Sequence, residues 1–187
     1  PPRPVLRLRV SSTAETVNLH YSWKYAPKAT KQRSVEKEIL ASLKDKLGDD
    51  SALGNVNSRG IYEDRELSID ESIDFMVYTL PLLEEHPDIL IEAQNQLPKY
   101  RILDTPATVS IEASENTGDW FDLTVEVTID DIKVPFALLL AALTLQLDYL
   151  VLEDMTVIPI ASEDFAQLRQ LIAEAGELGK VEGNTIR

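Results

Sequence analysis

Nine residues near the middle of the chain constrain its fold more than any others. From Phe121 to Ile129, the apolar residues Phe121, Leu123, Val125, Val127 and Ile129 alternate with Asp122, Thr124, Glu126 and Thr128. A period of two puts the apolar set on one face of a strand and the polar set on the other. A strand with one wet face suits an antiparallel sheet, because an all-parallel sheet has helices over both faces. The alternation recurs near the start. Leu6, Leu8 and Val10 alternate with Arg7 and Arg9, and Val17, Leu19, Tyr21, Trp23 and Tyr25 alternate with Asn18, His20, Ser22 and Lys24. These two runs flank the polar stretch 11–15 and predict a hairpin.

Between the strands the period lengthens to that of a helix. Val35, Ile39, Leu40, Leu43 and Leu47 follow Ser34, a good N-cap, and Gly48 is placed to stop the helix. Ile73, Met76, Val77, Leu80 and Leu83 follow a cap at Ser68 or Asp70, with Pro81 expected to kink the helix or end its regular part. Pro135 opens a helix, 136–145, that is apolar nearly all round and is therefore expected to be buried. Phe165, Leu168, Leu171 and Ile172 form the apolar face of a last helix behind Ser162. Weaker strands are expected at 61–69, 89–93 and 109–113, and a small hairpin over 149–160.

The expected class is α+β, antiparallel sheets with packed helices. Residues 1–100 read strand, strand, helix, weak strand, helix, and residues 101–187 read strand, strand, helix, small hairpin, helix. The chain therefore reads as two related strand–strand–helix halves, the first with a basic hairpin and the second with the strand at 121–129 and the runs quoted below, or as one compact domain of both. The connector 94–106, with Pro98 and Pro106, is the best place for an internal boundary.

Charge separates the two ends. Residues 1–48 carry +6 and the remainder −20, for a net −14. An acidic body repels nucleic acid in general, while a basic end can still meet a phosphate or an acidic partner. There is no cysteine, which excludes disulfides, thiolate metal sites and a cysteine nucleophile. No apolar run reaches the ~18 residues of a membrane span, and no signal segment opens the chain. A start at Pro1 rather than Met reads as a piece of a longer protein.

The usual chemistry is mostly missing. The seven glycines never form G-x-x-x-x-G-K-[ST] or G-x-G-x-x-G. The acidic pairs Asp49-Asp50, Asp130-Asp131 and Glu153-Asp154 fall where turns are expected, so they read as turn formers and not metal ligands. His20 lies on the polar side of a strand and His86 follows a helix, neither near a nucleophile-elbow serine. Asp122 and Glu126 share a strand face about 14 Å apart, too far for a glycosidase pair. No catalytic, cofactor-binding or metal-ligating residue is assigned. The candidate contact surface is basic: Arg7, Arg9 and Lys24 on the polar face of the first hairpin, with Lys28, Lys31 and Arg33 beyond it. Tyr21, Trp23 and Tyr25 occupy the opposite, apolar face and read as core, not as base-stacking platforms. Trp120 falls on the polar side of its strand, either packed under a helix or marking a contact surface.

Several runs together carry a resemblance. They are Asp119-Trp120-Phe121-Asp122-Leu123, a strand ending Val127-Thr128-Ile129-Asp130, Val134-Pro135-Phe136 before an apolar helix, Tyr149-Leu150-Val151-Leu152 before a turn, and Leu168-Arg169-Gln170-Leu171-Ile172. His20-Tyr21-Ser22-Trp23-Lys24-Tyr25 and the run 80–89 agree more loosely. The chain resembles the helicase-associated domain of bacterial, especially actinobacterial, Swi/Snf-type DEAD/DEAH-box helicases. The resemblance implies a non-catalytic accessory module that precedes an ATP-dependent motor in a long cytoplasmic protein. ATP, magnesium and double-stranded DNA would belong to the motor domain of that same chain. None of the motor's motifs occurs here, nor does the cysteine/histidine zinc module of some members, so no catalytic residue carries over. Interaction with the motor or its regulation is the expected role. The alternative is a DNA-contacting module that uses the basic hairpin.

Overall fold

The structure is a computed structural model that describes residues 2–48, 53–115, 121–178, 181–182 and 185–186, with side chains placed over 2–48, 53–112 and 124–174. It has the mixed helices and antiparallel-rich sheets of an α+β protein. The chain divides into two compact units, Pro1–Tyr100 and Arg101–Arg187.

In the first unit, β1 (Val5–Thr13) and β2 (Thr16–Lys24) form the hairpin, with Leu8 opposite Tyr21 and Arg9 opposite His20. β3 (Arg65–Glu66) is a two-residue strand beside β2, much shorter than the 61–69 expected. β4 (Ile89–Gln94) lies along the other side of β1 in parallel, so the sheet order is β3-β2-β1-β4. The parallel pair arises because the chain returns to β1 through helices, and such a crossover brings the next strand back in the same direction. Leu6, Leu8, Val10, Val17, Leu19 and Tyr21 turn inward and are buried. They share one core with Ile39 and Leu43 of α1 (Arg33–Leu47) and with Phe75, Leu80 and Leu83.

Helix α1 starts two residues earlier than a cap at Ser34 would place it. Gln32 occupies the N-cap, and its N–H donates to the Tyr25 hydroxyl at 2.8 Å. Gly48, at φ 78°, ends the helix, a left-handed conformation that glycine adopts without strain. Ser68 caps α2 (Ile69–Asp74) in a full capping box with Glu71. A π-helical turn, Phe75–Thr79, then leads into α3 (Leu80–Glu84), with the Leu80 N–H donating to the Phe75 carbonyl. Pro81 has no N–H to give and its ring crowds the carbonyl four residues back. The widened turn just before it takes up that conflict while the chain stays helical.

Short of a full third strand, β2 is completed by a side chain. The Leu67 N–H reaches the Val17 carbonyl at 2.8 Å. The Val17 N–H donates to the Ser72 hydroxyl at 2.9 Å, and that hydroxyl points on toward the Leu67 carbonyl at 3.5 Å. Ser72, fully buried, thus substitutes for a missing rung of the ladder.

In the second unit, β5 (Arg101–Ile102) precedes the hairpin of β6 (Thr108–Glu115) and β7 (Phe121–Ile129), in which Val109 faces Val127 and Ile111 faces Val125. Asp130 and Asp131, at φ 50° and 63°, form the tight turn to β8 (Ile132–Lys133). Two positive φ values in a two-residue loop suit the twist of the strands it joins. Val125, Val127 and Ile129 are buried and Thr124 and Glu126 exposed, as the alternation requires. Phe121 and Leu123 lie on β7, but their side chains are outside the described set. After α4 (Phe136–Thr144), β9 (Tyr149–Val151) and β10 (Thr156–Pro159) form the small hairpin, and β10 runs parallel to β5. A 3-10 turn, Glu163–Phe165, leads into α5 (Ala166–Leu178), and β11 (Val181–Glu182) and β12 (Thr185–Ile186) extend the sheet of β7. Both units contain strand, strand, helix. The first closes as one sheet and the second as two.

α4 departs from expectation. Phe136, Leu139, Ala142 and Leu143 are buried, but Leu138 is 46% exposed and Leu145, just past the helix, 71%. An apolar sequence all round says nothing about which face finds a partner. Here the stripe at positions 136, 139, 142 and 143 is buried in the core and Leu140 packs partly against it, while Leu138 faces away.

Candidate functional site

β1 and β2 present one face to the core and the other outward, and the outward face of the first unit is where the basic residues fall. Register places Arg7 opposite Ser22, Arg9 opposite His20 and Val5 opposite Lys24. Arg7, Arg9 and Lys24 therefore share one face. Lys28, Lys31 and Arg33 follow on the exposed segment that leads into α1. Their electrostatic states differ. Arg9 is neutralised by Glu92 of β4 at 3.1 Å. The Arg7 Nε donates to the Ser22 hydroxyl at 3.0 Å, a neutral partner. Among the described residues, Arg7, Lys24, Lys28, Lys31 and Arg33 make no ion pair. The free positive charge thus gathers toward the Lys24 end, and not around Arg9.

The aromatic residues sit elsewhere. Tyr21 is buried, its ring 5.2 Å from that of Tyr62 and its hydroxyl donating to the Leu53 carbonyl at 3.2 Å. Burial holds the Tyr21 hydroxyl far above its ordinary ionisation range. Trp23 is half-buried against the same core. The Tyr25 hydroxyl donates to Glu36 at 2.8 Å, a residue only 3% exposed. Nothing aromatic from this hairpin is displayed beside the cations as a stacking platform would be. Trp120 lies outside the described residues.

Two grooves border the outward face. One, of about 310 Å³, is polar and is lined by Arg9, Asn18, His20, Asp64, Glu66 and Gln94 among others. In it His20 Nδ1 meets Asp64 Oδ2 at 2.7 Å, and Asp64 Oδ1 accepts the Tyr21 N–H at 3.3 Å. The other, of about 370 Å³, is more apolar and runs between Val5, Lys24, Pro27, Pro87 and Leu90. Both are open to solvent, with no enclosed space for a reacting molecule.

One arrangement has the outline of catalytic machinery. His86, buried after α3, places Nε2 2.8 Å from the Ser42 hydroxyl. Sequence inspection missed this pair, since Ser42 lies far away on α1 and no local motif joins them. The hydrogen bonds decide its chemistry. The Asp88 N–H donates to His86 Nδ1 at 3.1 Å, so Nδ1 is the acceptor and Nε2 carries the proton. Ser42 in turn donates to the Ile39 carbonyl at 2.7 Å. The imidazole thus has no lone pair aimed at the serine, the reverse of what an activated nucleophile needs. The pair ties α1 to the turn before β4.

In the second unit the acidic pairs serve turns. Asp130 and Asp131 hold positive φ, and the Asp154 carboxylate accepts the Thr156 N–H at 3.1 Å. Asp49 and Asp50 lie outside the described residues. Glu126 pairs with Lys133 at 2.8 Å across β7 and β8, which commits it to a structural contact. Among the described residues no group of three or more carboxylates or histidines is placed to hold a metal ion, and no helix is long and apolar enough to cross a membrane. Compared with family models, with curated proteins and with solved structures, the chain matches none.

Proposed function

We propose that the chain is a non-catalytic accessory module of a Swi/Snf-type DNA-dependent ATPase, one that works by contact with the motor and not by chemistry of its own. The observation that carries this reading is the outward sheet face of the first unit. It is polar, bordered by open grooves, and held in part by its own pairs, Arg7 with Ser22, Arg9 with Glu92 and His20 with Asp64. The serine–histidine pair lacks the polarity of a nucleophile and base, which is consistent with the same reading. The runs between 119 and 172 that resemble the helicase-associated domain supply the context. The decisive test is to read the coding sequence beyond both ends. A Walker-type loop and helicase motifs downstream are expected, and an unrelated or absent neighbour would refute the reading. ATP turnover by the 187-residue chain alone would refute it as well.

A second reading is favoured by one observation, the unpaired cations Arg7, Lys24, Lys28, Lys31 and Arg33. In it the basic face touches the duplex on which the motor works. Fluorescence anisotropy with a labelled duplex tests it. Binding should fall steeply with salt, and Lys24→Ala should lower the salt slope by about one phosphate contact. Arg9→Ala should matter less, because Glu92 already holds Arg9. Absence of binding at low salt would remove this reading and leave the first standing.

A further inference from the structure

β4 is an open edge. It bonds β1 on one side, and among the described residues no strand pairs its other side. The Leu6 N–H donates to the Asp88 carbonyl at 2.9 Å, which sets the parity of the ladder. Leu90, Glu92 and Gln94 turn their backbone groups to β1, and Ile91 and Ala93 turn theirs away. Proteins blunt sheet edges with very short strands, lysines or prolines. The opposite edge, β3, is two residues long. β4 has six residues and neither lysine nor proline, and its one charge, Glu92, is occupied by Arg9. Ile89 and Ile91 lie half-buried at the rim of the core.

We propose that this edge takes a second copy of the chain, β4 against β4 in antiparallel register about a twofold axis at Ile91. Self-complementarity selects that occupant. Ile91 meets Ile91 of the second copy and Ile89 meets its Ala93, so the outward Ile91 groups pair, the Ala93 N–H reaches the Ile89 carbonyl and the apolar side chains continue the core, while the Ile89 N–H stays on the His86 carbonyl of its own chain at 3.4 Å. On the outward face Leu90 lies opposite Glu92, and Asp88 opposite Gln94. Neighbouring registers that keep the outward groups paired fail on charge. An axis at Leu90 sets Asp88 against Glu92, and an axis at Glu92 sets that carboxylate against its own copy. Of these three registers only the central one brings no like charges together, and it makes an isologous, closed interface.

Sedimentation equilibrium of the full chain reads the result. Ala93 is exposed and its N–H faces away from β1, so Ala93→Pro removes an edge donor and no existing ladder bond. It is expected to weaken the dimer by about tenfold or more, two such bonds being lost per interface. Substitutions at Leu90 should act with opposite signs. Leu90→Glu creates two carboxylate–carboxylate oppositions and weakens the dimer, while Leu90→Lys creates two pairs with Glu92 and tightens it, each by about threefold to tenfold. If Ala93→Pro fails to fold, the Leu90 pair decides. A chain still monomeric at about 1 mM would overturn the proposal. So would a dimer that ignores all three substitutions, since it would then use another surface.

Discussion

Ser72→Ala is a small change with an effect out of proportion to its size. The hydroxyl accepts the Val17 N–H at 2.9 Å, and both residues are fully buried. The variant leaves a buried amide without a partner, which costs about 1–3 kcal/mol. The Leu67 carbonyl loses only a long contact and keeps little penalty, and the hydroxyl leaves too small a void to add much. The expected loss is therefore about 2 kcal/mol in the stability of the first unit. Guanidinium unfolding in a Trp120→Phe background measures it, because the remaining Trp23 reports on that unit. The midpoint should fall with no change in slope, and hydrogen exchange should show the Val17 amide losing protection more than that of Leu19. A loss below about 0.5 kcal/mol, the usual range for an inconsequential substitution, would refute the idea that this hydroxyl completes the ladder.

Leu139→Ala should cost about 2–5 kcal/mol by lost burial and a cavity, whereas Leu138→Ala, on the exposed side of α4, should stay within about 0.5 kcal/mol; thermal unfolding of the two variants gives the comparison. Glu71 is held below the ordinary glutamate value chiefly because it accepts the Ser68 N–H, with Arg65 adding to the effect. Its stabilisation is therefore complete above 4.5 and is lost as pH falls through the lowered value, so Glu71→Gln should flatten the acid limb of a stability–pH curve. Tyr21 has the opposite sign. Its ionisation is pushed up by burial, so its contribution is complete below 10.0 and is lost as pH rises beyond that. Tyr21→Phe should make alkaline unfolding of the first unit less steep, and an unchanged alkaline limb would contradict the assignment.

What was legible in the sequence was whatever depends on short spacing. Alternation in 6–10, 17–25 and 121–129 located the strands, and over the described side chains their faces, and Ser68 or Asp70 announced a helix start, of which Ser68 is the cap. The outward placement of Arg7, Arg9 and Lys24 followed from the same alternation. What could not be read depends on partners distant in the chain. Nothing in Ile89–Gln94 says that it will lie parallel to β1, or that Glu92 will neutralise Arg9 and shift the free charge toward Lys24. Ser42 and His86 are equally remote from each other, and only their hydrogen bonds reveal which nitrogen holds the proton. Nor does local spacing tell that Glu36 will be buried and will accept the Tyr25 hydroxyl. For α4 the composition was read correctly and the exposure was not, because an apolar helix is buried only where another surface reaches it.

The parallel seam between β1 and β4 also bears on synthesis. β1 can fold back on β2 as soon as both have left the ribosome, since a hairpin needs only local closure. Its other flank must wait until Ile89 emerges, after α1, α2 and α3. Until then a nascent chain displays an uncovered flank of the central strand, and that window, more than the finished molecule, is when it would be most exposed to aggregation.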